Sequence, residues 1–124
     1  MSKKKSILLV EDDEFLAELY ATKLNLEGFE VALASDGEKG LKLIKEKQPD
    51  LILLDIILPK MDGFEILKKI KTDKSLKDIP VILLTNLSQK DEVQKGLDLG
   101  ATDYLIKAHF MPSEVVKKIK QTIG

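Results

Sequence analysis

Five short apolar runs, separated by stretches with helical spacing, constrain the fold of this chain more than any other feature. Each run is rich in Val, Ile, Leu or Ala and is flanked by charged or turn-forming residues. Runs of this kind are typical of strands that are buried on both faces of a sheet. The predicted strands are Ile7–Val10, Val31–Ala34, Leu51–Leu54, Val81–Leu84 and Tyr104–Ile106.

A helix is predicted after each strand because apolar residues recur there at helical spacing. The first helix carries four apolar residues that we assign to one buried face, namely Leu16, Leu19, Tyr20 and Leu24. The later helices carry Leu41 and Ile44, then Phe64, Leu67 and Ile70, then Val93 and Leu97, and finally Val116, Ile119 and Ile123. The strand–helix unit is therefore expected five times.

Capping residues mark several of the helix ends. Asp62 is a predicted N-cap of the third helix, and Ser88–Asp91 has the pattern of a capping box that opens the fourth. Gly100 is expected to end the fourth helix, and Pro112 suits the first turn of the fifth. Repeated strand–helix alternation predicts an α/β fold with a doubly wound parallel sheet, right-handed crossovers and helices on both faces.

Length and composition exclude several classes of protein. The 124 residues are enough for one domain, which we expect to span 1–124. The 20 basic residues are all Lys and face 21 acidic ones, which argues against nucleic-acid recognition through Arg. The absence of Cys excludes disulfides, thiol catalysis and Cys-bound zinc. Apolar stretches such as Leu51–Leu54 are too short for a membrane span, so a cytoplasmic protein is expected.

Polar side chains stand where four of the five apolar runs end. Because parallel strands present their carboxyl ends at one edge, where open α/β sheets bind ligands, these side chains are expected to converge on one crevice. They are Glu11, Asp12 and Asp13 after the first run, Asp55 after the third, Thr85 after the fourth and Lys107 after the fifth.

Asp55 is the strongest of these signals because it interrupts the apolar stretch from Leu51 to Leu58. A carboxylate in such a place is costly unless its charge is stabilised. Either the strand ends before Asp55, which then begins a solvated turn, or Asp55 joins Glu11 and Asp12 in an acidic site. Asp13 is explained by the positive end of the following helix dipole.

Carboxylates held close together raise one another's pKa or recruit a cation. Mg²⁺ fits, because it accepts one or two carboxylates and binds phosphate oxygens, whereas zinc is disfavoured with a single His and no Cys. Thr85 and Lys107 have ordinary interpretations, as a strand terminus and a surface lysine. Together with the acids, however, their hydroxyl and ammonium predict a phosphoryl-transfer pocket with a carboxylate nucleophile.

Short motifs follow one another in a specific order: Val10-Glu11-Asp12, Leu54-Asp55-Ile56 with Pro59, Met61-Asp62-Gly63, Thr85, Gly100-Ala101 and Asp103–Lys107. Each is weak alone, but jointly and at this spacing they are specific. From Ser6 to Ile123 the sequence resembles the receiver domain of bacterial response regulators, including the chemotaxis response regulator. The resemblance implies a flavodoxin-like (βα)5 fold with strand order 2-1-3-4-5.

The resemblance also implies roles for the residues of the acidic site. Asp55 corresponds to the phospho-acceptor, and Asp12 to a direct Mg²⁺ ligand. Glu11 corresponds to an acid that holds the metal through water. The backbone carbonyl of Ile57 would complete the metal site.

Three further residues take roles from the family. Thr85 corresponds to the switch hydroxyl, Tyr104 to the switch aromatic that turns inward with it, and Lys107 to the phosphate-binding lysine. Three features depart from the common pattern, one of which is that Ile57 and Leu87, two residues after Asp55 and Thr85, are both apolar. Ala108 stands where many members have a proline in a cis bond, and Asn86 stands where a small Ala is usual. The nearby His109 is assigned to a strand-to-helix loop and is given no role.

The implied function is that of a stand-alone response regulator of a two-component system or phosphorelay, without an output domain. A sensor histidine kinase or phosphotransfer protein would phosphorylate Asp55 and thereby switch a protein-binding surface near the fourth and fifth helices. The protein would catalyse only its own phosphorylation and dephosphorylation. It would contact an unidentified protein effector but no nucleic acid or membrane, as a monomer or a phosphorylation-dependent dimer.

Three alternatives compete with this function. A small Mg²⁺-dependent phosphatase with an aspartyl-phosphate intermediate usually has a second acid close after the nucleophile, which Asp55-Ile56-Ile57 lacks, and a cap for which the chain is too short. A flavodoxin-type flavin module would need a phosphate loop where Glu11–Asp13 would repel phosphate. The full residue set argues against a receiver-like binding module that is never phosphorylated.

Overall fold

The computed structural model of the protein describes residues 4–85, 90–107 and 112–123. Strands and helices alternate five times within them, which confirms the predicted α/β pattern. None of the helices in these ranges has the length and apolar character needed to cross a membrane. The elements are β1 (Ser6–Val10), α1 (Glu14–Leu26), β2 (Glu30–Ala34), α2 (Gly37–Lys47), β3 (Leu51–Asp55), α3 (Gly63–Thr72), β4 (Val81–Thr85), α4 (Lys90–Asp98), β5 (Asp103–Ile106) and α5 (Pro112–Ile123).

The five strands form one parallel sheet in the order β2-β1-β3-β4-β5, which confirms the order 2-1-3-4-5. The strands at the centre of the sheet are covered on both faces. Every residue of β3 and of β4 is buried, including Asp55 and Thr85 at their carboxyl ends. The crossovers thus bring the ends of β1, β3, β4 and β5 to the same edge.

Two apolar layers enclose the sheet. On one face, α1 and α5 pack on alternate strand residues such as Leu9 and Leu53. On the other face, α2 and α3 pack on the remaining strand residues, such as Leu8 and Ile52. Helix α4 lies on this second face, where Gly96 is close to Leu83. The predicted helices on both faces are therefore confirmed.

The predicted buried face of α1 is wrong in one residue. Tyr20 and Leu24 are buried with Ala17, and Leu16 packs partly against them, but Leu19 is 44% exposed. At about 3.6 residues per turn, Leu19 points more than a quarter-turn away from the centre of the face formed by the buried three. Leu19 is adjacent to Tyr20 in the sequence, but neighbouring residues in a helix are about 100° apart and do not share a face.

The predicted ends of the helices agree with the structure where it describes them. The Asp62 carboxylate caps α3 by accepting the Glu65 N–H at 3.0 Å. The Gly100 N–H donates to the Leu97 carbonyl just after α4, and Gly100 has a φ of 111°. Pro112 begins α5. Ser88 and Gln89, which open the expected capping box, lie outside the described residues.

A pair of leucine truncations in α1 tests this assignment of faces. Leu24 is 1% exposed in the core, so Leu24→Ala is expected to lower the free energy of unfolding by about 2–5 kcal/mol. Leu19→Ala removes the same atoms from a site that is 44% exposed and should cost at most about 1 kcal/mol. Urea unfolding of both variants measures the difference. Equal losses would show that Leu19 packs in the core after all.

Candidate functional site

Three acidic side chains meet at the carboxyl edge of the sheet. Glu11 directly follows β1 and is 2% exposed, whereas Asp55 is the last residue of β3 and is 5% exposed. Asp12 is exposed beside them. One carboxylate oxygen from each of the three lies within 4.8 Å of the others. Asp55 therefore belongs to an acidic cluster and does not begin a solvated turn.

The Lys107 ammonium lies between the two buried acids of this cluster. Its Nζ donates a hydrogen bond to Asp55 Oδ2 at 2.7 Å and lies 2.7 Å from Glu11 Oε1. The Lys107 side chain is only 17% exposed, so both ion pairs are shielded from solvent. The sequence predicted that Lys107 and Asp55 converge on one crevice, and the structure brings them into contact. The contact with Glu11 was not anticipated.

Backbone amides orient both buried carboxylates. The Ile57 N–H donates to Asp55 Oδ1 at 3.3 Å, and the Asp13 N–H donates to Glu11 Oε2 at 3.2 Å. Asp13 itself caps α1 by accepting the Leu16 N–H, as its place before the helix suggested. Glu11 Oε1 is buried and accepts no well-aligned hydrogen bond from the described residues, despite its ion pair with Lys107.

Burial and mutual repulsion shift the pKa values of the cluster. Burial raises the pKa of Glu11, and the charge of Asp55 adds to the rise, while Lys107 opposes it. The pKa of Asp12 is raised by desolvation and by its neighbour Glu11. Burial acts to lower the pKa of Lys107, but its contacts with Asp55 and Glu11 outweigh this and raise it. Lys107 therefore stays an ammonium at neutral pH.

The cluster has the charge and the donors for a divalent cation. When ionised, three carboxylates and one ammonium leave two negative charges without compensation among these four groups. All three ligand atoms are hard oxygens, and the buried Glu11 Oε1 lacks a well-aligned donor among the described residues. Oxygen ligands of this kind suit Mg²⁺ and do not select zinc. The acids that the sequence assigned to a metal site are thus brought together.

Thr85 and Lys107 are joined through the backbone. Thr85 is 1% exposed at the end of β4, and its carbonyl accepts the Lys107 N–H at 2.7 Å. Tyr104 pairs with Leu83 in the sheet, so its side chain is on the same face as that of Thr85. Tyr104 is 36% exposed, so its ring is partly in solvent. The structure places these residues near one another, while their switch roles stay predictions.

Sequence reasoning missed a pair of charged residues beside the site, Asp36 and Lys60. The buried Asp36 caps α2 and pairs with Lys60 in the loop after Asp55. Asp36-Gly37 before a helical stretch is a capping signal that could have revealed the first contact but not the second. Asn86, Leu87, Ala108 and His109 lie outside the described residues.

Comparison with known proteins agrees with this geometry. Residues 7–120 match the family described as the response regulator receiver domain. The DNA-binding dual master transcriptional regulator RpaA of Synechocystis is 40% identical over 114 residues, which are 92% of this chain and 47% of that protein. The chain spans about half the length of the curated relatives that it matches.

Solved structures of a response regulator and of a receiver domain are also similar to this chain. A putative response regulator from Chloroflexus aurantiacus is 33% identical, with a TM-score of 0.91 and 98% of both chains covered. The receiver domain of the sensor histidine kinase PA1611 from Pseudomonas aeruginosa is 29% identical, with a TM-score of 0.88 and coverage of 98% of this chain and 99% of that one. That structure has a magnesium ion coordinated in the active site cleft. The chain described here belongs to the response regulator receiver domain family, as its motifs predicted.

Proposed function

We propose that this domain is a phosphorylation switch in which Asp55 accepts a phosphoryl group. The donor is the phosphohistidine of a sensor histidine kinase or of a phosphotransfer protein. The observation that carries the proposal is the position of Asp55, which is 5% exposed at the sheet edge, beside two more acids and 2.7 Å from the Lys107 ammonium. Buried carboxylates surrounded by charge are typical of functional sites, because such a group contributes little to apolar packing.

The chain holds the Asp55 carboxylate ready for an in-line displacement. Hydrogen bonds from Ile57 N–H and Lys107 Nζ fix its two oxygens in one orientation. One of these oxygens forms a P–O bond while the P–N bond of the donor breaks, and the imidazole leaves with the electron pair of that bond. The ammonium of Lys107 pairs with phosphoryl oxygens, and the Thr85 hydroxyl donates a hydrogen bond to them.

Mg²⁺ is the cofactor that the acidic cluster fits. Glu11, Asp12 and Asp55 would hold the ion, with the backbone carbonyl of Ile57 as the fourth protein group. When bound, the ion supplies positive charge for the carboxylates and for the phosphoryl oxygens. The two uncompensated negative charges of the cluster support this assignment, as does the magnesium ion in the related PA1611 domain.

Phosphorylation is proposed to act on α4 more than on α5. The new phosphate adds roughly one negative charge. Its contacts with Thr85 and Lys107 pull on two residues whose backbones are joined by the hydrogen bond from Lys107 N–H to the Thr85 carbonyl. Among the α4 side chains that the structure describes, none is buried, and Gly96 is the buried residue of the helix. In contrast, α5 is anchored by Val115, Val116 and Ile119.

The energy available is sufficient for such a switch. Moving an equilibrium from mostly inactive to mostly active takes up to about 5.5 kcal/mol. Two or three charge-assisted hydrogen bonds to the phosphate, at about 1.5–3 kcal/mol each, supply that amount. A lightly anchored helix needs less to move than one that is packed in the core.

The outer face of α1 is proposed as the docking surface for the phosphodonor protein. Phe15 and Leu26 are each 78% exposed, and Leu19 is 44% exposed. Helical spacing places the three on one stripe, opposite the buried face. The stripe begins two residues after Asp13, whose N–H binds Glu11, so a protein bound there lies next to the acidic cluster. Solvated apolar stripes of this kind are typical of interaction sites.

We further propose that residues 1–124 act on their own, in the cytoplasm and on a protein effector, as a monomer or a phosphorylation-dependent dimer. Stand-alone action and the absence of nucleic-acid contact stay predictions, because RpaA is a DNA-binding regulator by name and is about twice as long. A signalling switch, and not a metabolic enzyme, is what the similarity to regulators supports.

Phosphorylation of Asp55 is directly measurable. With Mg²⁺ and a small acyl-phosphate donor, intact mass should rise by one phosphoryl group in the wild type and not in Asp55→Asn. Asp98→Asn is the matched control, because Asp98 is exposed on α4 and bonds only Gln94 among the described residues. Phosphorylation of Asp55→Asn at the wild-type rate would contradict the proposal, and sustained turnover of a generic phosphate ester would favour the phosphatase alternative.

Binding of Mg²⁺ should depend on pH. Because Glu11 and Asp12 have raised pKa values, their protons stabilise the folded metal-free protein below the usual values of 4.5 and 3.8, and this contribution is lost as pH rises through the raised values. Mg²⁺ must displace those protons, so its affinity should fall on acidification by up to about tenfold per pH unit for each proton. The increase in Tm caused by Mg²⁺ should therefore shrink as pH falls from neutral through the raised pKa values of these two acids. In Asp12→Asn the increase should be smaller and its pH dependence weaker, whereas a constant increase in the wild type would refute the assignment.

Docking on α1 predicts a difference between two kinds of donor. Phe15→Ala should slow phosphorylation by a cognate histidine kinase or phosphotransfer protein by about tenfold or more, the size of a hot-spot truncation. The rate with a small acyl phosphate should stay within about twofold, because that donor needs no docking surface. Asn25→Ala, exposed on the same helix but outside the stripe, is the control. Equal slowing with both donors would place the effect of Phe15 in the chemistry.

A further inference from the structure

The loop between β3 and α3 contains a strained turn. The Met61 N–H donates to the Pro59 carbonyl at 2.8 Å, which closes a three-residue γ-turn around Lys60. Lys60 has a φ of 68°, in the left-handed region that a side chain disfavours. A γ-turn with positive φ is rare and persists only where surrounding structure holds it. The turn begins four residues after Asp55, in the same loop as Ile57, so the contacts that hold the turn also affect the acidic site.

The start of α2 supplies that support. The Gly37 N–H donates to the same Pro59 carbonyl at 3.2 Å. The preceding Asp36 is 6% exposed, and its Oδ1 caps the helix by accepting the Lys39 N–H at 2.9 Å. Its Oδ2 lies 3.8 Å from Lys60 Nζ. The Lys60 side chain thus pairs with the N-cap of α2, and the Pro59 carbonyl accepts a hydrogen bond from the first residue of the helix.

The contact between Gly37 and the loop is a contact of backbone with backbone. A Cβ on Gly37 would lie 1.8 Å from the Met61 carbonyl oxygen and 2.6 Å from its carbon. No side chain fits there unless the loop or the helix moves. The loop is equally tight at its end, where the Gly63 N–H donates to the Ile56 carbonyl at 2.8 Å. A Cβ on Gly63 would clash with the backbone carbonyl oxygen of Asp55.

We propose that Gly37, with its cap Asp36, is a positioning residue for the phosphorylation site. Gly37 touches neither the acids nor Lys107 directly. It holds the loop in which the Ile57 N–H orients Asp55 Oδ1 at 3.3 Å and from which the Ile57 carbonyl would reach the metal. The inference rests on the proposed function. It states that the metal affinity of the acidic cluster depends on Gly37, a residue outside that cluster. Groups that orient metal ligands typically change metal affinity by about 10- to 100-fold when altered.

Two glycine variants separate positioning from stability. Gly37→Ala should weaken Mg²⁺ binding, measured by calorimetric titration, by about tenfold or more. Gly28→Ala is the matched control: Gly28 has a φ of 94°, so alanine is strained there, but a Cβ meets nothing within 4 Å. Both variants should lose stability, and only Gly37→Ala should lose Mg²⁺ affinity. Titrations are made at a temperature where urea unfolding shows each variant to be folded.

A second measurement needs no metal. Hydrogen exchange of the Ile57 amide, followed by NMR in Mg²⁺-free protein, should accelerate in Gly37→Ala and not in Gly28→Ala. If Gly37→Ala does not fold, Asp36→Ala removes the cap and the Lys60 pair without adding a clash, and it should weaken Mg²⁺ binding severalfold. Wild-type Mg²⁺ affinity in the folded Gly37→Ala protein, or in Asp36→Ala if that is the variant that folds, would overturn the inference.

The two proposals fail in different ways. A wild type that binds Mg²⁺ but takes no phosphoryl group from an acyl phosphate would end the proposed function, and the Mg²⁺ comparison would still decide the role of Gly37. A wild type that is phosphorylated, with a Gly37→Ala protein equal to it in Mg²⁺ affinity and rate, would end the role of Gly37 alone. A wild type that does not bind Mg²⁺ would overturn both.

Discussion

Parallel pairing of five short strands is the constraint on which the rest of the structure depends. Strands β3 and β4 are buried throughout, so their side chains must be apolar until the last residue, while neighbouring strands satisfy their peptide groups. Since parallel strands end at one edge, the polar residues that finish them meet there whatever their separation along the chain. Glu11, Asp55 and Lys107 are in contact for this reason, and the functional site is a consequence of the topology.

This meeting point is costly for the folded state. Burying Glu11 beside Asp55 raises the pKa of Glu11, and a single ammonium serves both carboxylates. Removing Lys107 would leave two buried charges unpaired, a change that typically costs several kcal/mol. Strain in the turn at Lys60 adds to this cost at the same edge. Proteins commonly lose stability where function needs a charged site, and here the uncompensated negative charge lies at the proposed Mg²⁺ site.

The helices around the sheet divide the work of the proposed switch. Helix α1 is apolar on two sides, so its inner face packs through Leu24 while Phe15 and Leu26 are in solvent. Helix α4 is held to the sheet by the close approach of Gly96 to Leu83, with no buried side chain among those the structure describes. One helix is thus suited to receive a partner next to the acids, and the other to move after phosphorylation.

The amino-acid sequence by itself determined the order of strands and helices, the sheet edge that carries the site and the acids that converge on it. These follow from short-range periodicity, from capping residues such as Asp62 and from the rule that parallel strands share an edge. Family motifs added the strand order, which periodicity alone does not contain. Only the tertiary structure decided that Leu19 faces solvent, that Lys107 pairs with Glu11 as well as Asp55, and that Gly37 binds the Pro59 carbonyl. Each depends on contacts between parts that are distant in the chain: the packing of α1 on the sheet, the meeting of the ends of β1, β3 and β5, and the approach of α2 to the loop after β3.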